Sequence, residues 1–264
     1  MTSSGASTIR ILGARVDPVT VDELHQRLEQ MVRGGGHSLV LNVNVNALNL
    51  ASTLPWFREF HNKASLVFCD GAGVILGARI LGHHIPQRIT YADWMWQLAE
   101  FAELRGLSLF FLGARPGVAE EGAARLRERF PKLRIVGTQH GYFDKSAGSP
   151  DNAAIIESIN AVQPDILMVG FGMPLQERWL MENWDHIEAR VALTGGAVFD
   201  YVSGRLRRPP QWMTQHGLEW LGRLRIEPRR LWKRYLIGNP LFLWRVLRQR
   251  LGLHDGGASR GNGR

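Results

Sequence analysis

Ala64-Ser65-Leu66-Val67-Phe68-Cys69-Asp70-Gly71-Ala72-Gly73-Val74 is the stretch on which the reading of the whole chain turns. Residues 64–69 form a short apolar run, the pattern of a strand buried on both faces. The run breaks at Asp70-Gly71-Ala72-Gly73, where glycine permits a tight turn, and residues 74–81 read as a helix. Asp70 therefore falls at the carboxyl end of a strand, at the mouth of a βα turn. Open α/β sheets bind their ligands at that edge. The position also suits a helix N-cap, for which aspartate is a favoured residue.

Outward from this stretch the same grammar repeats. Strands are expected at 38–43, 107–112, 133–137, 165–170 and 191–193, with a strand or short hairpin over 8–16 broken at Gly13. Between them lie helical stretches. One is opened by the capping-box pair Thr20 and Glu23, another by Thr90 with Asp93. Strands alternating with helices predict an α/β fold, a doubly wound and mostly parallel, Rossmann-like sheet. Asn42, Asn44 and Asn46 alternate at the end of the second strand, a spacing that points all three to one face. Gly113-Ala114-Arg115-Pro116-Gly117 joins a strand to a helix. That geometry offers backbone N–H groups to a phosphate, although a plain tight turn fits it equally. Its spacing is neither that of a P-loop nor that of a dinucleotide fingerprint.

Past Gly204 the texture changes. Residues 205–252 are helix-forming and Arg-rich and hold Trp212, Trp220, Trp232 and Trp244. Between 205 and 250 twelve Lys and Arg stand against Glu219 and Glu227, a net of +10. Arg260 and Arg264 against Asp255 follow, so residues 1–204 carry a net of −3 out of the chain total of +8. The expected organisation is a core over 1–204, a basic helical appendage over 205–252 and a disordered tail over 253–264. Gly238-Asn239-Pro240 is expected to split the appendage's last stretch into two short helices.

The N-terminus shows no secretory signal, no run of about 18 apolar residues occurs, and there is one Cys. These features fit a cytoplasmic protein in a reducing compartment. The lone Cys69 reads as a small buried residue, and His83-His84 as a polar turn. There is no HExxH, no CxxC and no Asp-x-Asp, so no metal or other cofactor is expected. Asn42, Asn44, Asp70, Arg88, the Gly113 loop, Tyr142, Gln176 and Asp200 all fall at strand ends, on one edge of a parallel sheet. Asp70 is the lone carboxylate best placed to abstract a proton in such a cleft.

An ordered series of short motifs now resembles the WecG/TagA/CpsF family of glycosyltransferases. It comprises Asn44, Cys69-Asp70-Gly71-Ala72-Gly73, Arg88-Ile89-Thr90, Gly113–Gly117, His140-Gly141-Tyr142-Phe143, Gly172-Met173-Pro174-Leu175-Gln176-Glu177, Gly195–Asp200 and Leu218-Glu219-Trp220 with Glu227-Pro228 and Arg230. The resemblance implies an inverting, metal-independent enzyme that moves a hexose from a UDP-sugar to a polyprenyl-diphosphate-linked saccharide. Such steps build cell-surface polysaccharide. It implies that Asp70 is the general base, that Asn44 and Gln176 contact sugar or acceptor, and that Arg88 contacts diphosphate or substrate. Tyr142 and Asp200 would hold the uridine. Asn42 stands where the family usually has Thr, and Tyr91 where it usually has Gly. Both lie near the implied sugar pocket, so the donor hexose is N-acetylmannosamine or glucose. Without Asp-x-Asp, the charge on the departing UDP must be met by side chains, and Arg223, Arg230 and Lys233 are the expected ones. The resemblance further implies that the appendage closes over the site and touches an anionic membrane, making the enzyme peripheral to the inner membrane face. Homo-oligomerisation is left open.

Two other classes compete on sequence grounds. A nucleotide-dependent oxidoreductase shares the fold class but lacks its GxGxxG here. A nucleic-acid binder would use the basic, Trp-bearing appendage, a pattern that suits membrane surfaces equally.

Overall fold

A computed structural model describes residues 7–253. Of the expected tail over 253–264, all but Leu253 lies outside the described residues. A hairpin of β1 (Ile9–Ile11) and β2 (Ala14–Val16) precedes the main sheet. That sheet holds β3 (Ser38–Val43), β4 (Leu66–Cys69), β5 (Ser108–Gly113), β6 (Arg134–Gln139), β7 (Ile166–Gly170) and β8 (Val191–Thr194). Their order is β4-β3-β8-β7-β5-β6, and every neighbouring pair is parallel.

The sheet is covered on both faces because its strands are apolar on both. Leu41, Val43, Val67, Leu112, Leu167 and Val169 point into one cluster, closed by Phe57, Ala78, Ile159 and Trp179 from the helices. Their alternates Val40, Leu66, Phe68, Phe111, Met168 and Leu193 point into the other, closed by Leu24, Leu28, Trp94 and Leu126. This is the doubly wound arrangement expected from the sequence. It brings the ends of β3, β4, β7 and β8 side by side, with Val43 opposite Cys69 and Val169 opposite Thr194.

The appendage packs on this core through one face of its last helix, Gly238–Arg250. Phe242 and Val246, one turn apart, join the first cluster, and Phe242 lies over Gly77. A Cβ at Gly77 would come within 2.6 Å of the Phe242 ring, so glycine there is what lets the helix seat. The expected break at Gly238-Asn239-Pro240 does not occur. Gly238 has helical dihedrals, and a π-helical segment, Lys233–Ile237, leads into the helix. Pro240 has no N–H to donate, and the π segment one turn earlier takes up that irregularity instead of a break.

Candidate active site

Asp70 stands one residue past the end of β4. It does not cap the following helix, because Gly71 occupies the N-cap of Ala72–Ile80 and no side chain caps that helix. Its backbone N–H is tied to the carbonyl of Val43 (2.9 Å), which fixes the turn to β3. Its carboxylate Oδ2 accepts a hydrogen bond from Asn42 Nδ2 (3.0 Å), and Asn42 Oδ1 in turn accepts from Thr194 Oγ1 (3.3 Å). Asn42 is buried in β3, so a chain from β8 through β3 orients the carboxylate from below.

The three asparagines do not share a face. The strand ends at Val43, and Asn44 becomes the N-cap of the helix Val45–Thr53, its Oδ1 accepting from the Ala47 N–H (3.1 Å). A chain that turns from strand to helix abandons the two-residue period, and Asn is a preferred cap. Asn44 still borders the cleft, with its amide NH2 as its free donor.

Asp70 lies on the partition between two cavities. The first, about 850 Å³, runs past Asn42, Tyr91, Gly195, Asp200 and Arg230. The second, about 470 Å³, has an apolar wall of Val45, Leu76, Trp220, Phe242 and Leu243. Asp70, Asn44, Glu219, Arg223 and Arg234 border both. A third cleft, about 930 Å³, is continuous with the first through Phe171, Gly196, Asp200 and Arg230, and it carries Arg115, Tyr142 and Lys145. The Lys145 ammonium donates to the Gly141 carbonyl and rests against the rings of Phe143 (4.1 Å) and Phe171 (4.5 Å), holding the loop that presents Tyr142.

Burial is the chief cause that pushes the Asp70 carboxyl up to about 7. The negative charge of Glu219 acts in the same sense, while Arg223, the Asn42 hydrogen bond and Arg88 oppose it. A carboxylate poised near neutrality is suited to take a proton. Cys69, directly before it, is buried and pushed up to about 12 by desolvation, so it is a thiol and no nucleophile. Among the described residues no three His, Cys, Asp or Glu side chains gather closely enough to hold a metal ion.

The other expected residues divide. Arg115, Tyr142, Asp200 and Arg230 meet around the first and third clefts, with Tyr142 exposed and Arg230 paired to Glu227 (3.0 Å). Gly113 lies beneath the third cleft. A Cβ there would sit 2.5 Å from the Gly170 carbonyl, so its role is the close approach of β5 to β7. Arg88 borders the second cavity and ties core to appendage, pairing with Glu219 (3.5 Å) and donating to the Thr214 carbonyl (3.2 Å).

Gln176 sits behind Gly196 at the wall of the first cavity. It is fully buried, its Oε1 accepts from the Gly172 N–H (3.0 Å) and its Nε2 donates to Glu177 Oε1 (2.8 Å). Both ends of the amide are engaged, so it braces the Gly172 loop at the wall of the first cavity. Lys233 lines the first cavity, exposed, with its ammonium 5.6 Å over the Trp232 ring.

Arg234, next in the chain, lines both cavities. Desolvation weakens the hold of its guanidinium on its proton. The sequence carried a signal for it, since positions 223, 227, 230 and 234 recur at helical spacing and 233 falls off that face. Glu219, Arg208 and Tyr201 were also missed as site residues. Tyr201 lies under the Arg223 guanidinium at 5.6 Å.

Fold and site together define an α/β protein whose cavities meet at one strand-end carboxylate, bordered by arginines of the C-terminal segment. The Glycosyl transferase WecG/TagA/CpsF family model matches residues 9–256, and the chain belongs to that family. It is accordingly a glycosyltransferase. The chain is similar to proteins of Staphylococcus aureus strains MRSA252 and NCTC 8325 / PS 47, each named N-acetylglucosaminyldiphosphoundecaprenol N-acetyl-beta-D-mannosaminyltransferase. Both are 25% identical over 245 residues, covering 92% of this chain and 93% of theirs. The same-named protein of strain MW2 is 24% identical over the same span. Family membership sets aside the oxidoreductase and nucleic-acid readings.

Proposed function

We propose that this chain transfers a hexose, N-acetylmannosamine or glucose, from a UDP-sugar to a polyprenyl-diphosphate-linked saccharide, with inversion and without a metal. One observation carries the reading: Asp70 stands between a polar cleft with arginines and an apolar-walled cavity, facing both. The donor would occupy the first and third clefts. Tyr142 and Asp200 would meet the uridine, while Arg115 and Arg230 would border its phosphates. The acceptor would enter by the second cavity, where Val45, Leu76, Phe242 and Leu243 suit the first units of a lipid chain and Arg88 suits a phosphate.

In the step itself, the acceptor hydroxyl attacks the anomeric carbon from the face opposite the UDP. A new C–O bond forms as the bond to the UDP oxygen breaks, and that oxygen leaves with the electron pair. Asp70 takes the hydroxyl proton, as Asn42 holds its carboxylate in place. Arg223 and Arg234 meet the growing charge on the diphosphate from positions already fixed at the cavity wall. Lys233 at the rim adds a mobile cation. The similarity to mannosaminyltransferases acting on a diphosphoundecaprenol-linked sugar supports the acceptor class.

A panel of UDP-sugars, incubated with enzyme and a lipid-diphosphate-linked GlcNAc, tests the reading. One UDP-hexose should be consumed with a product of inverted anomeric configuration. If none is turned over, the substrate assignment falls. EDTA should leave the rate unchanged, because the side chains around Asp70 offer cations rather than metal ligands. Activity lost to EDTA and regained with Mg²⁺ or Mn²⁺ would overturn the metal-free mechanism.

A further inference from the structure

Asp70 is surrounded by guanidinium groups and is paired with none of them. Arg88, Arg223 and Arg234 border the same cavities, and Arg208 acts on it electrostatically. Yet among the described residues its carboxylate oxygens have one partner, the neutral amide of Asn42. An aspartate beside several arginines ordinarily forms an ion pair, and an ion-paired carboxylate is a poor base. Two of these arginines, Arg88 and Arg208, face another carboxylate instead.

That group is Glu219, the first residue of the helix Glu219–Ile226 in the appendage. Its carboxylate is largely buried and borders both cavities beside Asp70. Oε2 lies 3.5 Å from Arg88 Nη1, and Oε1 lies 4.0 Å from Arg208 Nε. Each arginine has a second anchor that turns it away from Asp70. Arg88 donates to the Thr214 carbonyl, and Arg208 donates to Asp93 Oδ2 (2.7 Å). Arg223 is drawn over the ring of Tyr201, and Arg234 over that of Tyr235 at 5.7 Å.

We propose that Glu219 is a positioning residue for Asp70: it engages Arg88 and Arg208 and so leaves the Asp70 carboxylate unpaired and available to the acceptor proton. This deepens the proposed transfer reaction and rests on Asp70 as its base. Its consequence is that the base, carried by the core, depends for its strength on a carboxylate delivered by the appendage.

The groups facing Asp70 are Asn42 from β3, Arg88 and Tyr91 before and within the helix Tyr91–Arg105, and Tyr201 from Val198–Val202. From the appendage come Arg208, Glu219, Arg223 and Arg234. Glu219 is the largest like charge among them. The tests are Glu219→Gln, which keeps an acceptor for both guanidiniums but removes the charge, and Glu219→Ala, which removes both. Each is made in the full chain.

In both variants the acid limb of the kcat/KM–pH profile should move down, by roughly a unit in Glu219→Ala, with kcat lowered and the donor KM little changed. Adding Arg208→Gln to Glu219→Gln should move the limb back up, and Glu219→Asp should restore part of it. A contact that merely fastened the appendage would lower activity with the limb unmoved. A limb that coincides with that of the wild type in folded Glu219→Gln and Glu219→Ala would overturn the proposal. Failure of the underlying reading looks different: Asp70→Asn would then stay active and the limb would not belong to Asp70.

Discussion

Asp70→Asn is expected to lower turnover by about a hundredfold or more, the usual scale for loss of a general base, while UDP binding measured by calorimetry stays near that of the wild type. The split follows from the geometry. Asp70 borders the donor cleft but the expected uridine contacts lie further out, at Tyr142 and Asp200. In the wild type, activity should rise with pH through about 7, where the Asp70 carboxyl gives up its proton. Stability should move in the opposite sense. The folded state holds the Asp70 proton up to about 7, whereas the unfolded chain releases it near 3.8. The folded state therefore binds more protons between those values, and stability falls as pH rises through that window. Asparagine carries no such cost, so the Tm of Asp70→Asn should gain on the wild type more at pH 8 than at pH 4. An active variant, or one whose Tm advantage shrinks as pH rises, would contradict the assignment.

The fold was legible because every strand of the main sheet except β6 is an apolar run stopped by Gly, Asn or Asp, and each gap is long enough for a helix. Asp70 was legible for the same reason: its run 64–69 can only be a buried strand, which leaves the next residue at the ligand edge. The Gln176 motif fixes the residue near that edge but not how its amide is held. At the second position of Leu175–Asn183 it is fully buried, its amide bonded to the Gly172 N–H and to Glu177. Asn44 misled by period, since a cap ends the alternation that a strand would continue. Arg234 follows the helical spacing of Arg223, Glu227 and Arg230, and it lines both cavities, whereas Lys233 lines only the first. The pairing of Arg88 with Glu219 joins residues far apart in the chain and made close only by the docked appendage, so no local pattern announces it.

Replacing Trp212, Trp232 and Trp244 with Asp is expected to abolish co-sedimentation with anionic vesicles and most transfer to a lipid-linked acceptor. The appendage has two unlike faces. Leu231, Tyr235, Phe242 and Val246 are buried, the last two within the first core cluster. Outside, Trp212 (58% exposed), Trp232 (43%) and Trp244 (60%) stand clear, with Leu236, Ile237, Leu241 and Leu247 also exposed. No helix among the described residues is long and apolar enough to cross a membrane, so this surface would lie along one. Arg225, Arg229, Lys233 and Arg250 are exposed on the same appendage, and each cation near an anionic surface adds roughly 1 kcal/mol. Rising salt should therefore weaken vesicle binding of the wild type, as screening shortens the reach of those charges. Truncation after Gly204 is a blunter test. It would remove Arg223, Arg234 and Glu219 from the site and Phe242 from the core, so activity would be lost whether or not a membrane is involved. The three tryptophans are exposed and lie outside the site, so their replacement leaves Asp70 and its arginines in place. Hydrolysis of the donor, or transfer to a short water-soluble acceptor, should persist in the variant while transfer from vesicles is lost. Vesicle binding and full activity on the lipid-linked acceptor in the triple variant would show that this face serves another purpose.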